Sequence, residues 1–427
     1  MRKGIFLGVV GLVLFGQVSS SFGSAYEGAG LGARQRIMGG AFIGMADDWT
    51  AIYWNPAGLA KQDTKGAGIE FDYVVLEGED GDSVANRLIT KKNSDQGDVF
   101  FQFGTEPFDK FNKKDILVHT FLPGVGGYTP FKDVVIAAGI YEPIGYASKW
   151  NDAKAGITAD YEIEAYEIVY NLSIAKQINP NLSLGAGLNL LQGKYKKYAK
   201  KDVPPGMGTY TYSIEVDGDG FGFEQVIGLM YKIKPNIDIG AVYRTGDTVK
   251  LKGTGKAKHT HPLMNVDESS DYTQRFEHPP TYGIGLAFRP QPKLVITTDW
   301  ARTDWTTMRS HIDYDTPDQI LLKDIPTRDV DWKATDRFRI GAEYQLNDIW
   351  TIRGGIFTDP SPVPDKAVSL TNVIDVDFTY FGLGLGYAYK DCRIDFGMLL
   401  ADNDRDAEGV HYEKKSTSYL VGGVCKF

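Results

Sequence analysis

Few side chains in this sequence have the types and spacing that metal or acid–base chemistry requires. The run at 217–220 alternates aspartate with glycine as calcium loops do, but Phe221 and Phe223 occupy later ligand positions of that pattern, so we interpret it as a turn. His259 and His261 could share one face of a strand, but two histidines alone do not complete a metal site. Ser/His/Asp orders and paired carboxylates do not stand out. The sequence predicts neither a cofactor nor an enzyme.

The two cysteines, Cys392 and Cys425, form the other candidate pair. Two cysteines in an exported chain can form one bridge. If the last two strands make a hairpin about a loop at 401–412, the two residues lie roughly opposite each other. Cross-strand neighbours are about 4.5–5.5 Å apart, which is within disulfide reach. A bridge and two unpaired apolar residues both remain open.

The strands that must carry these residues alternate apolar and polar side chains. Phe338, Ile340 and Tyr344 fall on one face, and Arg339 and Glu343 fall on the other. A membrane barrel turns the apolar face to lipid and a soluble barrel turns it inward, and the period alone does not distinguish them. The abundance of Gly (49), Tyr (24) and Phe (22) favours the membrane form. After the N-terminal segment there is no run of about 20 apolar residues, so a membrane helix is not predicted.

We predict an all-β fold, a transmembrane antiparallel β-barrel of about fourteen strands from residue 66 onward. The predicted spans are 66–77, 115–129, 134–149, 159–176, 182–198, 221–233, 237–252, 281–289, 293–307, 335–346, 349–358, 377–389, 392–400 and 414–427. A further strand-like segment, 98–104, lies in the first loop. Short turns alternate with long polar loops at 200–220, 253–279, 310–333 and 359–375. This is the division expected between the periplasmic and extracellular ends of an outer-membrane barrel.

The chain termini indicate export and membrane assembly. Arg2 and Lys3, an apolar run at 5–15 and small residues up to Ala25 form a secretory signal peptide, which we assign to 1–25. Phe427 ends the last alternating strand, the usual signal for the machinery that assembles outer-membrane barrels. We therefore predict location in the outer membrane of a Gram-negative bacterium, in contact with its lipids. The net charge of −9 argues against a nucleic-acid partner.

A compact apolar segment lies between the signal peptide and the first strand. The run 39–61 mixes small residues with large apolar ones such as Phe42 and Trp54. A short helix in it must end near Asn55, because Pro56 disfavours the α conformation in the residue before it. A segment this apolar is expected to be buried inside another part of the protein. A structural arm packed on a sheet is the simpler alternative to a plug.

The string GGAFIGMADDWTAIYWNPAGLA at 39–60 resembles the plug, or hatch, of the FadL family, outer-membrane channels for long-chain fatty acids and other hydrophobic compounds. The segments 279–290, 332–344 and 359–365 are also similar to that family, whereas 373–378 departs from its usual pattern. The resemblance implies a fourteen-stranded barrel, 66–427, with the hatch, 26–65, inside its lumen. It also implies an apolar groove in the outer loops, a lumen pocket and a lateral exit at a kink in the third strand.

The resemblance also suggests residues for these roles. It implies a hatch or gating role for Asn55, Pro56 and Ala57. Phe42 and Trp54 of the hatch are candidate ligand contacts. Lys194 matches a basic position in the family's fifth strand and is a candidate anchor for a carboxylate, although a solvated lysine in the basic run 194–201 is an equal alternative.

The predicted third strand contains a physical reason for a gap in the wall. Pro143 cannot donate to the ladder, and Gly145 permits a bulge or a bend. Unpaired backbone is costly in lipid, so a break is tolerated where it lines a cavity or pore. We therefore predict the lateral opening at these two residues. An ordinary bulge near a rim is the alternative.

The predicted function is facilitated diffusion of hydrophobic compounds, either long-chain fatty acids or aromatic hydrocarbons, through a monomeric channel with a lateral exit. Inward arginines, among them Arg339, Arg353 and Arg393, are expected to pair with Glu343, Asp395 and acids of the hatch rather than with ligand. An outer-membrane scaffold for secretion or attachment is the first alternative. A barrel hydrolase with its site in the long loops is the second.

Overall fold

The computed structural model describes residues 28–80, 116–154, 157–203, 210–368 and 375–427. The predicted signal peptide and the strand-like segment 98–104 lie outside these ranges. Five short helices occur in the described part: α1 Ala33–Ile37, α2 Ala51–Trp54, and the 3-10 helices Pro56–Lys61, Trp305–Thr307 and Asp365–Ala367. In the described part of the chain, no helix has the length and apolarity that a membrane crossing requires.

The described residues form eighteen strands in one antiparallel sheet. These are β1 Gly66–Asp80, β2 Ile116–Phe131, β3 Val134–Lys154, β4 Ile157–Gln177, β5 Leu182–Val203, β6 Tyr210–Lys234, β7 Ile237–Arg244, β8 Asp247–His261, β9 Met264–His278, β10 Thr281–Gln291, β11 Leu294–Thr303, β12 Arg309–Tyr314, β13 Ile325–Asp329, β14 Thr335–Gln345, β15 Trp350–Asp359, β16 Phe378–Tyr389, β17 Cys392–Ala407 and β18 Val410–Lys426. Fourteen of them, all except β8, β9, β12 and β13, close a barrel in which β1 pairs with both β2 and β18. The prediction of a fourteen-stranded barrel is confirmed.

The barrel wall turns its apolar side chains outward. On β6, Phe223 is 61% exposed and Ile227 is 56% exposed, whereas Glu224 between them is only 1% exposed. On β14, Phe338 and Ile340 are exposed and Arg337 is buried. Because a soluble barrel would bury the apolar face, this orientation identifies a membrane wall.

The two ends of the barrel differ as the turn pattern predicts. One end, which we call the turn end, carries the tight turns that follow β2, β4, β6, β10, β14 and β16. The other, the loop end, carries the long connections. β4, β5 and β6 have 21, 22 and 25 residues, so they extend well beyond the bilayer at the loop end.

Two predicted boundaries at the loop end are corrected by the structure. The predicted strand 237–252 is two strands, β7 and β8, separated at 245–246, where Gly246 has φ +65°. The predicted loop 253–279 is mostly the hairpin β8–β9, because the small and charged residues there still alternate in burial. β8 pairs with the loop-end half of β6, from Thr211–Thr260 to Phe221–Lys250, and β9 pairs with β12. The wall therefore continues above the membrane as a sheet.

The C-terminal hairpin closes the barrel at the turn end. β17 and β18 pair without a register shift from Ala407–Val410 to Cys392–Cys425. The two cysteines are bonded as a disulfide at the last pair of this ladder. The backbone N–H of Phe427 donates to the carbonyl of Lys65 at 2.8 Å, which joins the C-terminus to the start of β1.

Candidate functional site

The described residues before β1, 28–65, fill the lumen at the level of the membrane wall. Phe42, Ile37, Met38 and Ile52 are fully buried. Inward glycines of the wall permit this close approach. A Cβ at Gly341 would lie 2.2 Å from the carbonyl oxygen of Met38. The segment is therefore packed against the wall by its backbone, and we refer to it below as the hatch.

The Asn55-Pro56-Ala57 motif ties the hatch to β6. The side-chain amide of Asn55 donates to the carbonyl of Ile43 at 2.9 Å and to that of Leu229 at 3.0 Å. Its side-chain oxygen accepts from the N–H of Ala57 at 3.2 Å and so caps the 3-10 helix, in which Pro56 is the first residue. One buried asparagine therefore ends α2, begins the next helix and binds the wall.

A second attachment point, Asp299 on β11, was missed in the sequence. Its carboxylate accepts from the backbone N–H of Phe42 at 2.6 Å and of Ile43 at 2.8 Å. The sequence contained one indication of this attachment point, namely a single acidic residue at an inward position of an alternating strand. Such a residue holds a partner inside the barrel, because an isolated buried carboxylate is costly.

A network of charged groups joins α1 and the following turn to the opposite wall. Arg34 donates to Glu343 at 2.8 Å and to Asp47 at 2.5 Å. The network continues through Arg353 to Glu343 and Asp395, and through Arg393 to Asp395 and to Asp48 of the hatch. This confirms the predicted pairing of Arg353 and Arg393 with Glu343, Asp395 and a hatch acid.

Phe42 and Trp54, the two candidate ligand contacts of the hatch, pack against each other. Their ring centroids are 6.4 Å apart in an edge-to-face arrangement. The indole N–H of Trp54 donates to the carbonyl of Leu31 at 2.7 Å, and the guanidinium of Arg339 lies 5.8 Å from the Trp54 ring centroid. Both side chains are buried, so in this arrangement they organise the hatch.

The third strand changes its pairing at the predicted kink. The ladder between β2 and β3 runs from Phe131–Val134 to Gly124–Tyr141. The ladder between β3 and β4 shifts register between Tyr141 and Ile144, so that Glu142 and Pro143 form a bulge. The N–H of Gly28, the first described hatch residue, donates to the carbonyl of Pro143 at 2.7 Å.

The inward side of the wall is apolar above the kink. Residues of β4, β5, β6, β8 and β9 bury their apolar side chains in one cluster there. We call this cluster the apolar lining; its members include Tyr161, Ile163, Leu191, Tyr195, Ile214, Val216, Val249, Leu251 and Phe276. These side chains are almost completely buried, so they pack together as an apolar core on the inward side of the wall.

Buried polar groups lie beside the apolar lining at the level of the β3 bulge. The amide of Asn189 donates to Glu224 at 2.5 Å, and Arg244 donates to the same carboxylate at 3.0 Å. Glu167 is fully buried beside the β3 bulge, and neither of its carboxylate oxygens has a hydrogen-bond partner in the described structure. The Nδ1 atom of His278 lies 3.5 Å from it. An anion that reached these groups would meet a carboxylate.

Lys194 does not lie where its candidate role requires. It is exposed, and it stands between Gly193 and Tyr195, whose positions face inward. Lys194 therefore lies on the outer face of the wall. Two lysines of β5, Lys197 and Lys201, are buried on its inward face, and Lys197 lies in the apolar lining with its Nζ atom 5.6 Å from the ring centroid of Tyr161.

The candidate metal residues do not converge. The rings of His259 and His261 stack with their centroids 6.3 Å apart. Asp217 and Asp219 lie in regular β6 strand rather than in the turn that the sequence predicted. Among the described residues, no group of three or more His, Cys, Asp or Glu is arranged to hold a metal ion.

Comparison with known proteins is consistent with this architecture. A sequence model of the family described as outer membrane protein transport protein (OMPP1/FadL/TodX) matches residues 25–414. A long-chain fatty acid transport protein of Shigella flexneri is 24% identical over 360 residues, which cover 75% of this chain and 80% of that protein.

Two solved structures share the fold. A FadL homologue of Pseudomonas aeruginosa superposes with a TM-score of 0.73 at 16% identity, over 96% of this chain and 100% of that chain. The toluene transporter TbuX of Ralstonia pickettii gives a TM-score of 0.68 at 18% identity, over 93% of this chain and 99% of that chain.

Proposed function

Because the chain belongs to the outer-membrane transport family OMPP1/FadL/TodX, we propose that it is a channel for facilitated diffusion of hydrophobic compounds with a lateral exit at Pro143–Gly145. The chain is an outer-membrane protein, and members of its family are transporters. The observation that carries the proposal is the apolar lining directly above the kink of β3. The lumen of an open aqueous pore is lined by polar side chains instead.

The route is directed sideways because the hatch blocks the straight path. The hatch is buried and bound to the wall at Asn55, at Asp299 and through Arg34. A hydrophobic solute that left through water would lose about 0.8 kcal/mol for each CH₂ exposed. A lateral exit into the bilayer avoids this cost, so it fits a hydrophobic substrate.

The pairing around β3 supports the position of the exit. On the loop-end side of Gly124–Tyr141, β2 continues to pair with β1 and β3 continues to pair with β4. The two strands therefore diverge within the wall. The hydrogen bond from Gly28 to the Pro143 carbonyl places the beginning of the described hatch at this divergence, where a small movement of the hatch would open the exit.

Substrate polarity is proposed to be sensed by Lys197. It is the buried cation in the apolar lining, and it lies opposite Ile163 and Val216 in the ladders. Glu167 is four residues from Ile163, about 13 Å along β4. Since an anion is favoured at the lysine and disfavoured at the glutamate, a fatty acid would hold its carboxylate at Lys197 and direct its tail to the exit. A neutral hydrocarbon would need neither group.

Uptake by whole cells tests the exit. In cells without another such channel, the protein should increase uptake of labelled palmitate, toluene or both. Gly145→Arg should reduce that uptake at least tenfold, because the large side chain fills the gap. Gly145→Ala is the matched control and should retain uptake.

Heat-modifiable migration on a gel verifies that both variants fold. Undiminished uptake by folded Gly145→Arg would overturn the lateral exit. Absence of uptake of either compound by the unmodified protein would favour the scaffold alternative, for which the sheet of β8, β9, β12 and β13 above the membrane offers a surface.

A further inference from the structure

The outward face of β6 marks where the hydrocarbon region ends. Exposed apolar side chains run along it from Ile233 at the turn end to Phe221. At about 3.3 Å per residue and a strand tilt of about 40°, this distance corresponds to about 30 Å along the membrane normal. That is the thickness of a hydrocarbon core, so Phe221 lies at its outer boundary.

Cations cluster on the outward face immediately above this boundary. Lys250 lies opposite Phe221, and Arg275 lies opposite Lys250. One row higher, Lys194 and Lys252 flank Asp219. We call Lys194, Lys250, Lys252 and Arg275 the rim cations. The three lysines are exposed, and Arg275 is partly exposed.

These charges have no close partner in the described structure. None of the rim cations has a carboxylate within 4 Å, although Asp219 lies between two of them in the ladder. In these two rows of the ladders four cations face one acid, Asp219, on a chain whose net charge is −9, and Glu164 in the next row also attracts Lys194. Such an excess is not expected from the overall composition.

Other charges on the loop-end wall are balanced. One row above the rim cations, Lys196 lies between Glu164 and Asp217 in the ladders. On the far side of the barrel, Arg302 pairs with Asp336 at 2.7 Å. At these two places in the described structure, the cations therefore have acidic neighbours that balance them.

We propose that the rim cations bind the phosphate groups of outer-leaflet lipids, that is, of a phosphorylated glycolipid of the lipid A type. The height of the cluster matches that of a headgroup whose acyl chains lie against Phe221 and Phe223. Long lysine and arginine side chains reach such phosphates while their stems stay on the apolar wall. A free phosphate ion would gain only the electrostatic contribution, whereas the lipid also gains contact with the aromatic band.

A quadruple variant tests the proposal in the purified full-length protein. It carries Lys194→Gln, Lys250→Gln, Lys252→Gln and Arg275→Gln. The control removes four lysines higher on the same sheet: Lys196→Gln, Lys200→Gln, Lys256→Gln and Lys258→Gln. Both sets are on outward faces and lower the net charge equally, so a general charge effect changes both variants alike.

Binding of lipopolysaccharide to the detergent-solubilised protein is measured by native mass spectrometry and by titration. We expect the rim variant to bind at least tenfold more weakly than the unmodified protein and the control variant to stay within about twofold. Dephosphorylated lipopolysaccharide should bind as weakly to the unmodified protein as the phosphorylated form binds to the rim variant. Inorganic phosphate alone should not compete at millimolar concentration.

Equal binding by the rim and control variants would overturn the proposal. So would equal binding of phosphorylated and dephosphorylated lipid, and so would competition by inorganic phosphate, which would indicate a site for the free ion. If the quadruple variant does not fold, the pair Lys250→Gln and Arg275→Gln, compared with Lys256→Gln and Lys258→Gln, decides the question. Hydrocarbon uptake by each folded variant should be unchanged, which separates this proposal from the transport function.

Discussion

Lys197 carries a buried positive charge in the apolar lining, where the proposed channel can distinguish an acid from a hydrocarbon. Its Nζ atom faces the ring of Tyr161, and its neighbours across the ladders, Ile163 and Val216, are apolar. A carboxylate that enters this surrounding gains a charge-assisted contact, whereas toluene gains none.

Replacement of Lys197 tests this distinction. Lys197→Gln should reduce palmitate uptake about tenfold or more and leave toluene uptake within about twofold, because a hydrogen bond to a charged group contributes about 1.5–3 kcal/mol. Lys194→Gln removes the same charge three residues away on the outer face and should change neither rate. Equal loss of both compounds in Lys197→Gln would show that the lysine is structural.

Strand parity explains which of these residues the sequence could place. Alternation from Asn189 and Leu191 along β5 puts Tyr195 and Lys197 inward, so the orientation of Lys194 was predictable from its neighbours. The family resemblance alone pointed to Lys194, which the structure places on the outer face. Asp299 and Glu167 are different, because their partners come from the hatch and from β9, far away in the chain. The local alternation of side chains predicts that such residues face inward, but it does not predict which residues they contact there.

At the scale of elements, the middle of the connection between β12 and β13 is bound to β9 by one carboxylate, while Asp315, Thr316 and Gln319 add neutral hydrogen bonds to the same strand. Glu268 on β9 accepts backbone N–H groups from Ile320 at 2.7 Å, Leu321 at 2.8 Å and Leu322 at 3.0 Å. Burial acts to raise the pKa of Glu268, but these three donors and Lys323 outweigh it and hold the pKa below its usual value. The segment 315–324 is therefore attached to β9 by a charged group.

This attachment should depend on pH. Since the folded pKa is depressed, the stabilisation is complete above the unfolded value of about 4.3 and is lost as the pH falls through the lower folded value. A spin label at Ile320→Cys, an exposed side chain, should be immobile at neutral pH and become mobile only below about pH 4. The disulfide keeps the native cysteines from reacting with the label.

Glu268→Gln should make the label mobile at neutral pH, because a neutral amide oxygen accepts more weakly than a carboxylate. Asp267→Asn, which changes the exposed neighbour of Glu268, is the control and should keep the label immobile. A label that remained immobile in Glu268→Gln would show that the neutral hydrogen bonds and apolar contacts of the segment are sufficient to hold it.

The sequence predicted the strands of the membrane wall better than the strands above the membrane. Within the membrane, large apolar residues such as Phe338 and Ile340 alternate with charges, because one face meets lipid. Beyond Leu251, β8 alternates outward lysines, which meet water, with the small inward residues Gly253, Gly255 and Ala257, so little of this part is strongly apolar. The same polar composition is typical of a loop, so the pattern did not separate the two. Residue pairs across β6 and β8, distant in the chain, decide the structure there.

At the scale of the whole molecule, the hatch and the barrel behave as one packed body. The hatch contributes buried residues to the same cluster as the wall, and its charges are neutralised by the wall. The signal for an enclosed segment was its own apolar composition. Its attachment points could not be predicted, because they are charges on β11, β14 and β17 that the sequence separates from it by more than 200 residues.

This attachment predicts that ions should cross the barrel poorly until the network is broken. Removal of one partner of a buried ion pair costs about 3–5 kcal/mol, because the other charge is left uncompensated. Arg34→Ala removes the only cation that joins Asp47 of the hatch to Glu343 in the described network and leaves Glu343 with Arg353 alone, so the hatch should loosen from the wall. In planar bilayers we expect Arg34→Ala to raise the conductance several-fold above that of the unmodified channel. Arg302→Ala breaks an exposed pair on the outer wall and should leave the conductance unchanged, because water and salt screen such a pair. A conductance of Arg34→Ala equal to that of Arg302→Ala would mean that backbone packing against the wall glycines is sufficient to hold the hatch, and that the charged network serves another purpose.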